Sequence, residues 1–380
     1  MSSVFITRTN AYLPFDPISN DEMEDVLGRV NGKNSRARSI ILRSNGIKSR
    51  HYVIDKKTGK QVLNNSAITA RAVEGLGELG KVGALYCGTT LPDSLVIGHA
   101  NLVQEHLKWG RMEVASYSGV CLSSTTALKG AYLALSCDEH ESAVVTGSEA
   151  VSPYLLAELF KPEVDSKVEQ LEERPEIAFE QDFLRWMLSD GAAALFLQNQ
   201  PMGECPLKIQ WIETGSAAHL QSACMYAGAV KNEDDSLRGW ATMSGEEQDR
   251  LSVFSLKQDV RLLNDNIVPL TFRDPFIELM EKRKINPSDI DWYLPHVSSM
   301  YFYERAVKIL KEIDFEIPQE KWFTNLTTKG NTGSASAFIM LDELVRSGKL
   351  RPGQNILLFV PESGRFSSGF IYLTVHPAVN

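Results

Sequence analysis

The sequence predicts an α/β fold in which helices layer against sheet. Three observations carry this. Short apolar runs of strand length alternate with segments whose apolar residues recur at helical spacing. The runs are bounded by turn signals such as Ser189-Asp190-Gly191 and Pro352-Gly353. One plan also occurs twice: small residues around a functional side chain, then a helix, a strand, and a turn.

In the first copy, Ser116-Tyr117-Ser118-Gly119-Val120-Cys121 leads into a run where Ala127, Leu128, Ala131 and Leu135 share a helical face. A buried strand over 143–147 follows, then Gly147-Ser148-Glu149; a further strand over 192–197 is entered through Asp190-Gly191. In the second copy, Gly330-Asn331-Thr332-Gly333-Ser334 precedes a helix through Phe338, Leu341, Leu344 and Val345 that ends near Gly348. Strands over 355–360 and 370–375 flank Pro361-Glu362-Ser363-Gly364. A strand-like stretch over 290–294 leads to Pro295-His296. The plan divides the chain into 1–205, with Cys121, and 206–380, with His296 and Asn331. Two stretches read as insertions. The segment 161–185 is acidic in its first part, and 228–266 carries apolar spacing at Leu251, Phe254, Leu256, Val260 and Leu263, suggesting helices that cover a pocket.

Composition narrows the function. The 380 residues are 43% hydrophobic and 23% charged, which is ordinary for a globular protein with room for two fused units. No apolar run reaches the ~20 residues of a membrane span. The first residues lack a signal-peptide core, so a cytoplasmic location is expected. The five cysteines are scattered, with no CxxC pair, which argues against a zinc site or a disulfide framework; no metal is expected. A formal net charge of −9 argues against a general nucleic-acid binder. Lys48-Ser49-Arg50-His51, Lys56-Lys57 with Lys60, and Lys282-Arg283-Lys284 are candidate basic patches for an acidic ligand or carrier, against the plainer reading of solvated surface.

The candidate chemistry centres on Cys121. A cysteine amid small and apolar residues is ordinarily an inert core thiol. Here it opens a helix, where backbone N–H groups favour the thiolate that attacks carbonyls. Cys87, Cys137, Cys205 and Cys224 lack that setting and read as packing residues. His296 stands at a strand end, where scaffolds present functional groups, although a lone histidine there is also a common structural residue. The remaining histidines are expected to be structural or exposed. Asn331 is either a turn or cap residue, or an amide donor aimed at a developing oxyanion. Gly364 is either a hairpin glycine or, with the Cys121 N–H, a donor to a thioester oxygen.

Together these residues resemble the thiolase superfamily, and within it the β-ketoacyl-acyl-carrier-protein synthase III group. Ala11-Tyr12-Leu13-Pro14 resembles its N-terminal turn, and Asn45-Gly46-Ile47-Lys48-Ser49-Arg50-His51 its Gly-Ile-Arg-x-Arg-His segment. Cys121 matches the nucleophile, His296 the Pro-His motif, Gly330-Asn331-Thr332 the Gly-Asn-Thr motif, and Asp190-Gly191-Ala192 a Gly-Asp-Gly-Ala turn. The resemblance implies a five-layered αβαβα fold of two pseudo-symmetric halves, homodimeric, with no resident cofactor. Acyl groups arrive on phosphopantetheine thioesters of an acyl carrier protein or coenzyme A. Cys121 takes an acyl group, His296 and Asn331 stabilise the enolate of a second thioester, and a carbon–carbon bond forms.

The sequence departs from the pattern in three places. Ser299 replaces the second Asn of His-x-x-Asn, Ser363-Gly364-Arg365-Phe366 replaces Gly-Gly-Gly-Phe, and Ile40 falls where an aromatic stacks on coenzyme A adenine. Arg365, near the expected mouth, is a candidate for binding a carboxylate or phosphate, and Ser299 for contacting substrate. The departures and the insertions suggest a specialised-metabolism ketosynthase, similar to those of dialkylresorcinol biosynthesis. The competing readings are fatty-acid initiation, acyl transfer to an alcohol or amine, and a non-catalytic partner subunit. The intact Cys121, His296 and Asn331 set argues against the last two.

Overall fold

The computed structural model describes residues 2–160, 168–169 and 181–379. The insertion expected over 161–185 lies mostly outside the described residues. Nine strands share one hydrogen-bonded sheet: β1 (Phe5–Tyr12), β2 (Ala84–Thr89), β3 (Glu113–Ser118), β4 (Ser142–Glu149), β5 (Gly191–Gln198), β6 (Leu207–Ser216), β7 (Trp292–Pro295), β8 (Asn355–Glu362) and β9 (Ser367–Val375). Their order is β7-β8-β9-β6-β1-β5-β4-β2-β3.

This order is two wings joined at a narrow seam. β1 and β6 pair only at Phe5 with Lys208 and Ile6 with Leu207. On one side, β2 runs parallel to β4, β4 antiparallel to β5, and β5 antiparallel to β1. On the other, β7 runs parallel to β8, β8 antiparallel to β9, and β9 antiparallel to β6. The pattern is the same in both wings, and the first adds the edge strand β3.

The longer helices are α1 (Ala37–Asn45), α2 (Asn65–Glu74), α3 (His99–Leu107), α4 (Ser123–Ser136), α5 (Val260–Val268), α6 (Asp274–Arg283), α7 (Tyr303–Glu312) and α8 (Ser336–Arg346). α4 packs on β2 and β4 of one wing and on β6 and β9 of the other. α8 likewise touches β1 and β5, and β7 and β8. These two helices form the central layer. α2 and α3 cover the outer face of the first wing. Phe272 and Phe276, ahead of and within α6, pack with α7 against Phe359 and Phe370 on the outer face of the second. The layers therefore run αβαβα, as the sequence resemblance implies. Helices on both sheet faces explain why β4 is buried at every position and β5 at all but its last, so they read as continuous apolar runs.

The centre admits little bulk at the start of α4. A Cβ added to Gly88 of β2 would lie 2.5 Å from the backbone of Ser123 and Ser124. One added to Gly369 of β9 would lie 2.4 Å from Leu122 Cδ1, and one on Gly147 of β4 would lie 2.7 Å from Ser124 Cβ and Ser334 O. The Ser124 hydroxyl donates to Ser334 O at 2.6 Å, and the Ser334 hydroxyl to Gly88 O at 3.0 Å, so the starts of α4 and α8 are pinned together. The Asp190 carboxylate forms a second clasp. It accepts the N–H groups of Val53 (2.7 Å), Val151 (2.6 Å) and Ser152 (2.9 Å), plus the Ser152 hydroxyl. Burial pushes its pKa up to about 6 despite these bonds.

Gly88→Ala should destabilise the fold by about 3 kcal/mol, the upper range for overpacking a core. Gly110→Ala, with nothing within 4 Å of its added Cβ, should change stability little. Chemical denaturation of both variants checks this; equal stabilities would mean that the two layers can move apart at no cost.

Candidate active site

The two central helices start at the same place. Cys121 lies two residues ahead of α4, and Asn331 lies in the loop ahead of α8. His296 follows β7, its backbone N–H donating to Phe359 O of β8 at 2.8 Å. All three side chains line one cavity of about 970 Å3, its opening to solvent included. Most of the remaining wall is apolar, with Leu91, Leu184, Met187, Met225, Phe272 and Phe302. Leu256, Gln258, Leu263 and Ile267 close one side. The first three come from the segment 228–266, which does cover the pocket as its spacing suggests.

Local geometry orients Asn331. Gly330 sits at φ +71°, and a Cβ there would meet Ser189 Cβ at 2.8 Å, so only glycine fits. The Asn331 backbone N–H donates to Met187 O (3.2 Å) and its carbonyl accepts from the Ser189 N–H (2.9 Å). Its side-chain Oδ1 accepts the Gly333 N–H at 3.0 Å, which leaves Nδ2 as the donating end.

His296 is buried, and neither ring nitrogen has a hydrogen-bond partner among the described residues. Burial lowers its pKa to about 4, so the imidazole is neutral at physiological pH. A neutral imidazole offers one lone pair to receive a proton and one N–H to donate. Buried polar atoms left unpaired are costly and mark a site that waits for a partner.

The electrostatics of Cys121 differ from the expectation of a resting thiolate. The helix start carries no side-chain cap, which suits an anion. Burial nonetheless pushes the thiol well above its ordinary pKa, and the carboxylates of Glu362 and Glu149 add to the shift. A helix terminus supplies ~1 kcal/mol, less than one pKa unit of ~1.4 kcal/mol. Cys121 therefore rests as a thiol and needs a proton acceptor.

Three further expectations change. The Gly364 N–H is donated to the Glu362 carboxylate, which also accepts the Ser367 N–H at 3.3 Å, and Gly364 is not in the cavity wall. Ser299 is buried and caps the following 3-10 turn, its hydroxyl accepting the Tyr301 N–H at 3.3 Å; the neighbouring Ser298 lines the cavity instead. The Arg365 guanidinium donates to the carbonyls of Ala218 (2.7 Å) and Gln221 (3.1 Å), so it fastens a loop and is not in the cavity wall.

The basic patches thin out as well. Arg50 and His51 are buried, Lys282 and Arg283 both pair with Glu213, and Lys56 pairs with Glu22. Lys48, Lys57, Lys60 and Lys284 remain exposed. All five cysteines are free; Cys87 and Cys224 are buried, whereas Cys137 is exposed and is not the packing residue expected. Sequence reasoning gave no role to Glu149 or Glu362. The only signal was a carboxylate at the end of an apolar strand in each half.

Alkylation of Cys121 by iodoacetamide, followed by peptide mass spectrometry, should accelerate about tenfold per pH unit from pH 7 to 9, because the reactive thiolate is scarce throughout. A plateau near pH 7 would show a preformed thiolate.

Comparison with known proteins follows the same lines. Residues 280–372 match the family model for the C-terminal part of 3-oxoacyl-[acyl-carrier-protein (ACP)] synthase III. The β-ketoacyl-[acyl-carrier-protein] synthase III of Xanthomonas campestris pv. campestris is 23% identical over 93% of each chain. That of Clostridium perfringens is 23% identical over 94% of this chain and 95% of its own. Among solved structures, AbyA1, a tetronic acid condensing enzyme, superposes with a TM-score of 0.73 at 18% identity, covering 98% of this chain and 99% of the other. FabH, the 3-oxoacyl-(acyl carrier protein) synthase III of Pseudomonas aeruginosa, gives 0.71 at 20% identity over the whole of both chains. A point variant of OleA from Xanthomonas campestris gives 0.72 at 18% identity over 98% of each. The chain thus has the thiolase fold of these condensing enzymes, and its residues 280–372 match the C-terminal part of the synthase III family.

Proposed function

We propose that this enzyme joins two acyl thioesters by Claisen-type condensation, through an acyl group carried on Cys121. The observation that carries the reading is the convergence of Cys121, His296 and Asn331 on one largely apolar cavity, with both ring nitrogens of His296 uncommitted. His296 accepts the Cys121 proton as sulfur attacks the first thioester carbonyl. The carbonyl–sulfur bond to the carrier breaks, and the carrier thiol departs with that proton. The second thioester loses CO2, or loses an α-proton to the free lone pair of His296, and its enolate oxygen is held by the His296 N–H and Asn331 Nδ2. The enolate carbon attacks the acyl carbonyl, the bond to Cys121 breaks, and the departing thiolate takes a proton back from His296, or from solvent after decarboxylation, to restore the thiol. The Cys121 N–H faces the first thioester oxygen alone unless Glu362 releases the Gly364 N–H.

The acyl groups are delivered on phosphopantetheine thioesters of an acyl carrier protein or coenzyme A, and no resident cofactor takes part. The apolar wall suits a medium or long acyl chain. That wall, with half-buried Ile40 on α1, favours a specialised lipid or polyketide role of the dialkylresorcinol kind over acetyl-primed fatty-acid initiation. The names of the sequence relatives support the second reading, fatty-acid initiation. No helix among the described residues is long and apolar enough to cross a membrane, and we place the enzyme in the cytoplasm.

A homodimer completes the proposal. Among the described residues, β3 is an edge strand with one side unpaired, a ready template for a second copy. Exposed Leu95, Val96 and Ile97 lie just ahead of α3, whose Ala100 N–H donates to Ser116 of β3. Sedimentation should give twice the mass of the 42.3-kDa chain, and Val96→Asp should shift it toward one copy. A monomeric native enzyme contradicts this.

Intact-protein mass spectrometry after incubation with a panel of acyl thioesters tests the reaction. Medium or long acyl groups should add to Cys121, and Cys121→Ala should abolish the adduct. Asn331→Ala should still load but condense about 100-fold more slowly, the ~3 kcal/mol worth of one oxyanion donor. Selective loading from acetyl-coenzyme A would favour fatty-acid initiation, and an ester product without a new carbon–carbon bond would refute condensation.

A further inference from the structure

Glu149 ends β4 and is buried, yet its carboxylate faces the same cavity. Its Oε1 accepts the Thr90 N–H at 2.9 Å, the Ser334 N–H at 3.2 Å and the Thr90 hydroxyl. Thr90 follows β2, and Ser334 lies two residues ahead of α8. One carboxylate thus ties together two strand ends of the first wing and the loop that carries Asn331. Bonds to an ionised acceptor are about twice as strong as neutral ones. The loop also lies directly on the Glu149 side chain: Gly333 sits at φ +51°, and a Cβ there would come within 2.9 Å of Glu149 Cγ. Gly333 in turn donates its N–H to Asn331 Oδ1. Where Glu149 holds Gly333 and Ser334, the Asn331 amide is held too.

We propose that Glu149 is the positioning residue for Asn331: through Gly333 and Ser334 it fixes the direction in which Nδ2 donates to the enolate. This rests on the condensation reading for its catalytic consequence, but the positioning is measurable without it. Glu149 is not the sole restraint, since Ser334 also bonds to Ser124 and Gly88. The loop is therefore expected to loosen, not to unfold, when the charge is lost.

The test is Glu149→Gln at pH 8, with the two half-reactions measured separately. Acyl loading of Cys121 should hold or quicken, since the Glu149 charge adds to the raised pKa of the thiol, while kcat for condensation falls about 10- to 30-fold at unchanged KM for the second thioester. Glu149→Gln/Asn331→Ala should be no slower than Asn331→Ala alone, because both remove the same interaction. Amide exchange at Gly333 and Ser334 should quicken about tenfold, with β5 unchanged. If Glu149→Gln does not fold, Thr90→Val, which deletes one donor to the same oxygen, should produce the same selective loss in smaller degree. Equal losses in both half-reactions, or additive losses in the double variant, would overturn the proposal and point to a general structural role or to direct proton transfer by Glu149. Should the native enzyme load no acyl group, the condensation reading fails, and the exchange data alone decide the positioning: unchanged exchange at Gly333 and Ser334 overturns it.

Discussion

The structure depends on the close approach of the α4 start to both β-wings. Gly88 and Gly147 on one side and Gly369 on the other leave no room for a side chain beside Leu122, Ser123 and Ser124. That approach places Cys121 at the boundary between the halves, where the loop ahead of α8 and the end of β7 also arrive. The Ser124–Ser334–Gly88 hydrogen bonds lock the two helix starts in register. Cys121, His296 and Asn331 can therefore share a cavity without a long or mobile loop. Residues held this way keep the geometry that oxyanion binding requires.

The same burial that fixes the geometry sets the charge state. His296 is held neutral and Cys121 protonated, so the resting cavity carries little charge apart from its carboxylates. Glu149 is pushed up to about 7 and Asp190 to about 6, above their ordinary values of 4.5 and 3.8. Each is then held in its protonated form more firmly by the fold than by the unfolded chain. Their stabilising contribution is full below those ordinary values and is lost as pH rises through about 6 to 7. His296 acts in the opposite sense: the fold favours its neutral form, so its contribution is lost as pH falls from 6.5 toward about 4.

The sequence was most legible where burial is complete. β4, β5, β8, α4 and α8 sit between layers, so their apolar character shows as runs or as helical spacing. β1, β2, β3 and β6 were not picked out. β3 is a half-exposed edge, β1 and β6 mix polar and apolar residues along their length, and β2, though buried throughout, has its short apolar run broken by Gly88 and Thr89. Cys121, His296 and Asn331 were visible because their flanking turns, glycines and proline are local. The commitments of Gly364, Ser299 and Arg365 were not, because each is set by a partner that only the folded chain supplies: the Glu362 carboxylate, the 3-10 turn after Ser299, and the 218–221 carbonyls. Glu149 escaped notice for the same reason, since its role follows from Thr90 and Ser334 meeting at one oxygen.

The central claim is that one cavity, using Cys121, His296 and Asn331, makes a carbon–carbon bond. The most direct test is a single turnover of enzyme loaded with a carbonyl-13C acyl group and mixed with an α-13C second thioester. The claim predicts a product in which the two labelled carbons are directly bonded, seen as 13C–13C coupling, with Cys121 returned to the free thiol. Loss of the label as free acid or ester, with no coupled carbons from any second thioester, would contradict it.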